Sequence, residues 1–208
     1  MSDPLRIAAL ISGTGRTLIN ILDKIDAGEL NASVELVIAS RGAIAGVELS
    51  EGRGLEVRIV RRRDFAGDDQ MHDAISAALT EKRIELVCLC GYLRWFRVDD
   101  PFAERVMNIH PALLPEFGGQ DMHGQVVHQA VLDSGGRLSG CTVHFVDEEY
   151  DHGPIILQRT CPVLRDDDHE SLAARVFALE CQAYPEAIRL FGAHRLSVND
   201  DRVHILPV

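Results

Sequence analysis

Three polar side chains, Asn108, His110 and Asp151, form the set best suited to chemistry in this sequence. Asn108 and His110 lie two residues apart at the end of an apolar run, so in a strand both side chains point to the same face. An amide donor beside an imidazole suits a site where negative charge develops on a carbonyl oxygen. Asp151, if the fold brings it close, orients the imidazole and raises its pKa. The combination predicts acyl transfer without a Ser or Cys nucleophile.

A second candidate site is the turn Ser12-Gly13-Thr14-Gly15-Arg16-Thr17, which follows an apolar segment and opens a helical one. Such a turn points backbone N–H groups and the positive end of a helix dipole at an anion. It lacks the dinucleotide fingerprint, because Leu18 stands where the third glycine would fall and no acidic residue follows the second strand. Two interpretations stay open: a pocket for one phosphate of a small substrate, which we favour, and a tight turn without a ligand.

A third cluster, Gly91-Tyr92-Leu93-Arg94-Trp95-Phe96, follows the fourth predicted strand. In open parallel sheets, ligands lie beyond the carboxyl ends of the strands. These large side chains therefore either cap the core or form the wall of a slot for a flat aromatic cofactor.

The remaining polar motifs favour structural interpretations. His144 lies in the middle of a predicted strand and is expected to be structural. The acidic run 147–152 lacks the periodic ligands and central glycine of a calcium loop, so we interpret it as a solvated turn. His123 and His128 are five residues apart, unlike a helical i, i+4 metal pair. The sequence therefore predicts no metal site.

Composition limits the possible partners. The chain has 208 residues, of which 46% are hydrophobic and 25% charged, with a net charge of −11. These values are typical of a soluble globular protein and argue against nucleic acid or an anionic membrane as the main partner. The basic run Arg61-Arg62-Arg63 is interpreted as a solvated loop, with a local anion contact as the alternative.

Cysteine usage and hydropathy predict a cytoplasmic protein. The five cysteines are an odd number without a disulfide framework pattern. Free thiols and the lack of a signal peptide are typical of a reducing cytoplasm. No apolar run approaches the ~20 residues that a membrane span requires.

Strands and helices alternate in the first half, which predicts a parallel sheet covered on both faces. The predicted strands are 5–11, 34–39, 56–60 and 86–89, and the predicted helices are 17–27, 43–52 and 68–82. The second half contains strands 106–110, 141–146 and 155–163, the last two alternating as antiparallel strands do, helices 126–132 and 168–191, and a tail hairpin within 195–206. Pro185 is expected to kink the last helix or begin a new turn. One domain, 1–208, with halves of about 1–100 and 101–208, is the simplest organisation.

Together these motifs resemble the glycinamide ribonucleotide formyltransferase family of folate-dependent enzymes. The resemblance runs from Ile7 to about Leu196. It is carried by Ser-Gly-Thr-Gly at 12–15, Asn-Ile-His-Pro at 108–111, Leu-Leu-Pro at 113–115 and the segment 141–158. It implies an α/β fold with a formyltransferase-type open sheet, whose N-terminal half is parallel and Rossmann-like and whose C-terminal strands are mixed or antiparallel.

The resemblance also implies a reaction and a set of site residues. A formyl group would pass from 10-formyltetrahydrofolate, as co-substrate, to the amine of glycinamide ribonucleotide in purine biosynthesis, without a metal. The implied catalytic residues are Asn108, His110 and Asp151; Gly15, Arg16 and Thr17 would hold the phosphate, and Glu180 would lie near the glycinamide arm. The implied folate-binding residues are Leu93, Arg94, Trp95, Phe96, Asn108, Asp147, Glu148 and Asp151.

The chain departs from the family pattern at three places. Thr17 stands where the family often has Asn. The helix around Asp68 has no arginine where some members bind folate, and Arg62 or Arg63 is the alternative. The loop 117–128 is longer than the commoner version, so substrate contacts from this loop are not assigned.

In the implied mechanism the amine attacks the formyl carbon directly. Asn108 and protonated His110 stabilise the oxyanion, and Asp151 keeps His110 charged. Three alternatives are a methionyl-tRNA formyltransferase, which adds a basic C-terminal domain, a formyltetrahydrofolate hydrolase, which adds an N-terminal domain, and a non-catalytic nucleotide- or folate-binding module. We expect small-molecule substrates, no nucleic-acid or membrane partner, and a monomer or homodimer.

Overall fold

The description rests on a computed structural model that covers residues 3–207. The chain divides into two compact units, one up to Met107 and one from Asn108 onward. The boundary lies close to the predicted division near residue 100. That both halves form one domain stays a prediction.

Strands and helices alternate throughout the first unit. The elements are β1 (Leu5–Ile11), α1 (Arg16–Asp26), β2 (Ala32–Ala39), α2 (Ala45–Gly52), β3 (Val57–Ile59), α3 (Asp68–Glu81) and β4 (Leu86–Leu89). Strand β1 pairs in parallel with β2 and with β4, and β2 pairs in parallel with β3. The short apolar runs form such strands because both faces of a parallel sheet are covered. The predicted parallel first half is therefore confirmed.

Helix α1 shows how local sequence places the first loop. Leu18, Ile21 and Leu22 are its buried residues, and their i, i+3, i+4 spacing gives one apolar face. Gly15 precedes the helix in the left-handed conformation, with φ 74°, which glycine adopts without steric cost.

The second part of the chain combines longer strands with a long helix. The elements are β5 (Val106–His110), α4 (Gln125–Asp133), β6 (Leu138–Phe145), β7 (Ile155–Pro162), α5 (His169–Gly192), β8 (Leu196–Asn199) and β9 (Arg202–Ile205). Strands β6 and β7 pair antiparallel, and α5 packs against both. The strand order of the seven-stranded sheet is β3-β2-β1-β4-β5-β6-β7, which confirms the predicted α/β class.

The tail forms the predicted hairpin. Strands β8 and β9 pair antiparallel, with Asn199 opposite Arg202. Asp200 and Asp201 connect them with φ values of 50° and 57°, as expected for a two-residue turn with positive φ at both central positions.

Two predictions about the second half hold only in part. Pro185 does not begin a new helix, since α5 runs without interruption from His169 to Gly192, and the alternative of a kink at this residue stays a prediction. Tyr184 and Ile188 are fully buried on either side of this proline, so tertiary packing outweighs the missing backbone N–H. Strand β6 begins at Leu138 and is buried from Ser139 to Phe145, so it does not alternate between exposed and buried positions. Among the described residues, no helix is both long and apolar enough to cross a membrane.

Candidate active site

The loop after β1 presents backbone groups at the start of a helix. Gly15 is buried, Thr17 is half-buried and Arg16 is exposed. Within the described part of the chain, no side chain caps the N-terminus of α1 and no acidic residue lies in its first turn. The positive end of the helix dipole is thus not offset by a local carboxylate, which suits an anion such as a phosphate.

Ser12 fixes this loop to two neighbouring segments. Its hydroxyl bonds to the Ser40 hydroxyl at 2.7 Å and accepts from the Leu93 N–H at 3.0 Å. Its own N–H donates to the Gly91 carbonyl at 3.1 Å. The side chains of Ser12 and Ser40 are buried, so these bonds link the loop after β1 to the start of the 93–96 segment.

Gly46 of α2 is a residue that the sequence analysis did not identify. Its N–H donates to the Gly13 carbonyl at 3.1 Å. A Cβ at Gly46 would lie 2.8 Å from that carbonyl oxygen and 3.2 Å from the Gly15 nitrogen. A Cβ at Gly15 would in turn lie 3.0 Å from the Gly46 Cα. The loop conformation therefore requires two glycines about thirty positions apart, and the only sequence signal for Gly46 was its place near the start of a short helix.

The segment after β4 divides between the core and the surface. Tyr92 and Phe96 are buried, whereas the Leu93 side chain is 46% exposed. Arg94 and Trp95 are half-buried. The two interpretations left open by the sequence thus apply to different residues. Tyr92 and Phe96 complete the core, while the exposed side chain of Leu93 offers an apolar surface to a ligand.

In the second unit, Asn108, His110 and Asp151 come together as the sequence predicts. The Asn108 amide donates to Asp151 Oδ1 at 3.1 Å, and His110 Nδ1 lies 3.3 Å from Asp151 Oδ2. The Gly119 N–H donates to the same Oδ2 at 3.1 Å. The His110 side chain is 3% and the Asp151 side chain 11% exposed, so the cluster is largely shielded from water.

Both ring nitrogens of His110 face oxygen acceptors. Nε2–H donates to the Phe117 carbonyl at 2.8 Å, and Nδ1 faces Asp151. A protonated ring is hydrogen-bonded on both sides in this position. Burial nevertheless lowers the pKa of His110 below its ordinary value, although the charge of Asp151 and the Phe117 carbonyl act to raise it. The expectation that Asp151 raises this pKa above the ordinary value was wrong, because desolvation of the buried imidazolium is the larger effect.

Asp151 is held in its ionised form. Burial alone would raise its pKa, but contact with His144, the charge of His110 and the Gly119 N–H together bring the pKa of Asp151 below its ordinary value. Backbone packing fixes this position as well: a Cβ at Gly118 would lie 3.2 Å from the Asp151 Cβ. Asp151 itself has φ 54°, a conformation that aspartate tolerates better than most residues.

His144, expected to be structural, lies within the cluster. Its Nδ1–H donates to the Phe145 carbonyl at 2.8 Å, which leaves Nε2 as an acceptor. The Asn108 amide donates to this Nε2 at 3.2 Å, and Asp151 Oδ1 lies 3.7 Å away. The β6–β7 register shifts between Val143 and His144, and such irregularities re-aim side chains. A bulge that depends on strand pairing is not visible in the sequence.

The chain that holds these two candidate sites, a loop at a helix N-terminus and a buried Asn-His-Asp cluster, matches a known family model. A family model described as "Formyl transferase" matches residues 5–188. The chain belongs to the formyl transferase family.

Relatives in this family align over nearly the whole chain. The phosphoribosylglycinamide formyltransferase of Haemophilus influenzae is 32% identical over 202 residues, covering 96% of this chain and 93% of that protein. The human trifunctional purine biosynthetic protein adenosine-3 is 34% identical over 200 residues, and the chain spans about a fifth of its length, 19%. The crystal structure of glycinamide ribonucleotide transformylase 1 from Symbiobacterium toebii superimposes with a TM-score of 0.91 at 38% identity, covering 100% of this chain and 96% of that one.

The other predicted site residues in the second unit of this formyl transferase family member are Asp147, Glu148 and Glu180. Asp147 accepts from the Glu149 N–H at 2.9 Å and bonds His152 Nδ1 at 2.7 Å, so the predicted acidic turn is held together by its own residues. Glu148 is exposed. Burial, with a smaller contribution from the charge of nearby Glu180 on α5, raises the pKa of the Cys141 thiol to about 12.

The basic run is largely paired. Arg61 bonds Asp64 at 2.6 Å, and Arg62 pairs with Asp68 and donates to the Phe65 carbonyl at 3.1 Å. Arg63 is exposed. Across residues 3–207, no group of three or more His, Cys, Asp or Glu side chains is arranged to hold a metal ion.

Proposed function

We propose that this chain transfers the formyl group of 10-formyltetrahydrofolate to the amine of glycinamide ribonucleotide in de novo purine biosynthesis. The observation that carries the proposal is the buried Asn108–His110–Asp151 cluster in a chain that belongs to the formyl transferase family. The near end-to-end match with the Haemophilus influenzae enzyme supports the choice of acceptor.

The proposal assigns the phosphate of the ribonucleotide to the loop of the first unit. Gly15, Arg16 and Thr17 would bind it through backbone N–H groups, with the Thr17 hydroxyl and the Arg16 guanidinium as further donors. The close approach of Gly46 supports this assignment, because it fixes the conformation of the loop through the bond from the Gly46 N–H to the Gly13 carbonyl.

The second-unit cluster would carry out the transfer. The amine nitrogen attacks the formyl carbon, the C–N bond to folate N10 breaks, and one proton passes from the amine to N10. The amide hydrogens of Asn108 donate to His144 and Asp151, so the formyl oxygen competes with His144 Nε2 for one of them. Negative charge on that oxygen strengthens this bond in the transition state.

His110 would act as a proton carrier in this step. Because burial lowers its pKa, we propose that the ring starts neutral and takes up a proton as the amine loses one. Ionised Asp151 then stabilises the imidazolium. This replaces the expectation of a permanently protonated His110.

Two sets of residues are assigned to folate binding, and each is described within its own unit. The first set is Leu93, Arg94, Trp95 and Phe96, and the second is Asn108, Asp147, Glu148 and Asp151. The exposed apolar side chain of Leu93 fits an aromatic ring. Glu180 is assigned to the glycinamide arm.

A formyl-transfer assay with two acceptors tests the proposal. The chain is incubated with 10-formyltetrahydrofolate and either glycinamide ribonucleotide or initiator methionyl-tRNA, and both formylated products and free formate are measured. We expect formylglycinamide ribonucleotide as the main product. Formyl-methionyl-tRNA as the main product, or formate alone, would replace the proposal with a tRNA formyltransferase or a hydrolase.

The proposed reaction uses no metal and only small-molecule substrates, with no nucleic-acid or membrane partner, and we propose a cytoplasmic location and a monomer or homodimer. Turnover should survive exhaustive treatment with EDTA. A loss of turnover that one added metal restores would contradict the metal-free proposal.

A further inference from the structure

One face of α3 contacts residues 95–99, in the segment that follows β4. Positions 69, 72, 73 and 76 share a helix face, and their side chains all contact residues 95–99. Asp69 and Asp73 bind the Arg97 guanidinium at 3.2 and 2.5 Å. Arg97 Nε also bonds Asp99 at 2.7 Å, and the Ser76 hydroxyl donates to Asp99. We name this set, together with His72, the α3 clamp.

His72 is the buried member of the α3 clamp. Its side chain is 2% exposed, and Nε2–H donates to the Trp95 carbonyl at 3.2 Å. The imidazole ring lies edge-on to Trp95 with centroids 5.1 Å apart, and to Phe96 at 6.3 Å. One imidazole thus holds the backbone of Trp95 and packs against the rings of both aromatic residues.

The other nitrogen of His72 shows that this imidazole is not simply filling space. Nδ1 is buried and has no hydrogen-bond partner among the described residues. A buried polar atom without a partner costs stability, and an apolar side chain of similar volume would avoid that cost. The hydrogen bond to the Trp95 carbonyl is therefore the feature that a histidine adds at this position.

The segment is fixed at two points. The Leu93 N–H binds the Ser12 hydroxyl, and the Trp95 carbonyl binds His72. Leu93, between these anchors, keeps an exposed side chain. The Arg97 guanidinium is already bound by the carboxylates of Asp69, Asp73 and Asp99, so it is not available to an anionic ligand. The α3 clamp is therefore suited to holding the segment that follows β4 in place.

We propose that His72 is a positioning residue for folate binding, acting through the backbone of Trp95 to set the surface that the pterin contacts. The inference rests on the proposed function only in taking 93–96 as the folate segment. His72 does not touch the reacting atoms, so its loss affects the donor's KM rather than the chemical step.

His72→Phe tests the proposal, because it keeps an aromatic ring at this position and removes the hydrogen bond to the Trp95 carbonyl. The KM for 10-formyltetrahydrofolate should rise on the order of tenfold, with kcat and the KM for glycinamide ribonucleotide within twofold of the parent. Ser76→Ala, a milder change in the α3 clamp, should raise the same KM by a smaller factor. Ile75→Val is the matched control: it shortens a fully buried side chain of the same helix without altering these hydrogen bonds.

Fluorescence gives a second readout, since Trp95 is the chain's single tryptophan. The emission of Trp95 should change in His72→Phe and stay at the parent's position in Ile75→Val, with thermal unfolding confirming that each variant folds. An unchanged donor KM in both clamp variants, with or without a fluorescence change, overturns the inference. A parent chain that transfers no formyl group overturns the proposed function instead. If His72→Phe does not fold, Ser76→Ala alone decides.

Discussion

The two candidate regions use different parts of the polypeptide. In the loop after β1 the groups that would bind a ligand are backbone amides. This loop requires glycine at positions 15 and 46, because a Cβ at either position would lie too close to the other segment. In the second-unit cluster the groups are the side chains of Asn108, His110 and Asp151, which bind one another in a largely buried site. A backbone site is sensitive to added volume, whereas a side-chain site is sensitive to the loss of a single functional group.

The difference also separates binding from chemistry. Backbone amides at a helix N-terminus interact equally with a phosphate before and during the reaction, which lowers KM without raising kcat. In the proposed reaction, the buried cluster meets charge that develops only in the transition state. Variants of the first region should therefore change KM, and variants of the second should change kcat.

The largest effect is expected for Asp151→Asn. The amide keeps the volume but removes the charge that stabilises protonated His110, so kcat should fall on the order of 10²–10⁴-fold while the KM for the ribonucleotide stays near the parent's value. Steady-state kinetics measure both. Asp133→Asn, at an exposed position of α4, is the control and should have parental kinetics.

A near-parental kcat in Asp151→Asn would mean that the cluster is not the catalytic device. His110→Ala should cost at least as much turnover, and the double variant should be little worse than the worse single, because groups that act as a unit are not additive.

An intermediate effect is expected for Gly46→Ala. The new methyl group would lie 2.8 Å from the Gly13 carbonyl oxygen and from Ile11 Cδ1, so the loop must shift. The KM for glycinamide ribonucleotide should rise about tenfold, equivalent to about 1.4 kcal/mol, and the donor KM should stay constant. Gly52→Ala, in the same helix with open space around its Cβ, should leave both constants unchanged. If Gly46→Ala and Gly52→Ala have the same KM for glycinamide ribonucleotide, α2 does not contribute to phosphate binding.

The smallest effect concerns stability against pH. Burial lowers the folded-state pKa of His110, so the unfolded chain takes up a proton first as the pH falls through about 6.5. The free energy of unfolding should therefore decrease from that pH downward until the folded-state pKa is passed. Denaturant titrations from pH 7.5 to 5 should show a smaller decrease in the free energy of unfolding for His110→Asn than for the parent chain.

His152 should have the opposite effect on the pH dependence of stability. Asp147 raises the pKa of this exposed histidine, so its contribution to stability is present below the ordinary pKa and is lost as the pH rises through the folded-state pKa. His152→Gln should therefore steepen the decrease in stability on acidification. Parallel curves for the two variants and the parent would contradict both assignments.

The sequence predicted contiguous features well. The turn 12–17 and the Asn108–His110 pair could be identified because their residues are adjacent and because alternating strands and helices constrain where they lie. Asp151, about forty residues further along the chain, was placed beside this pair through the family resemblance. These predictions depend on local chemistry and on periodicity.

What the sequence did not predict depends on tertiary contacts. His144 joins the cluster through a register shift between paired strands, and Gly46 reaches the loop from another helix. The pKa of His110 was predicted in the wrong direction, because the sequence shows the neighbouring carboxylate but not the depth of burial that outweighs it. The length of α5 was predicted closely, as 168–191 against the observed His169–Gly192, but its unbroken course past Pro185 was not, since the packing around this proline is not a local property.

The most direct test of the division between binding and chemistry is calorimetric titration of glycinamide ribonucleotide into the parent chain, Gly15→Val and Asp151→Asn. Valine at Gly15 must adopt φ 74° and would place its Cβ 3.0 Å from the Gly46 Cα, so its dissociation constant should rise at least about tenfold. Asp151→Asn should bind the ribonucleotide as tightly as the parent while lacking turnover. Parental affinity in Gly15→Val, or a loss of affinity in Asp151→Asn as large as the loss of turnover, would contradict the account.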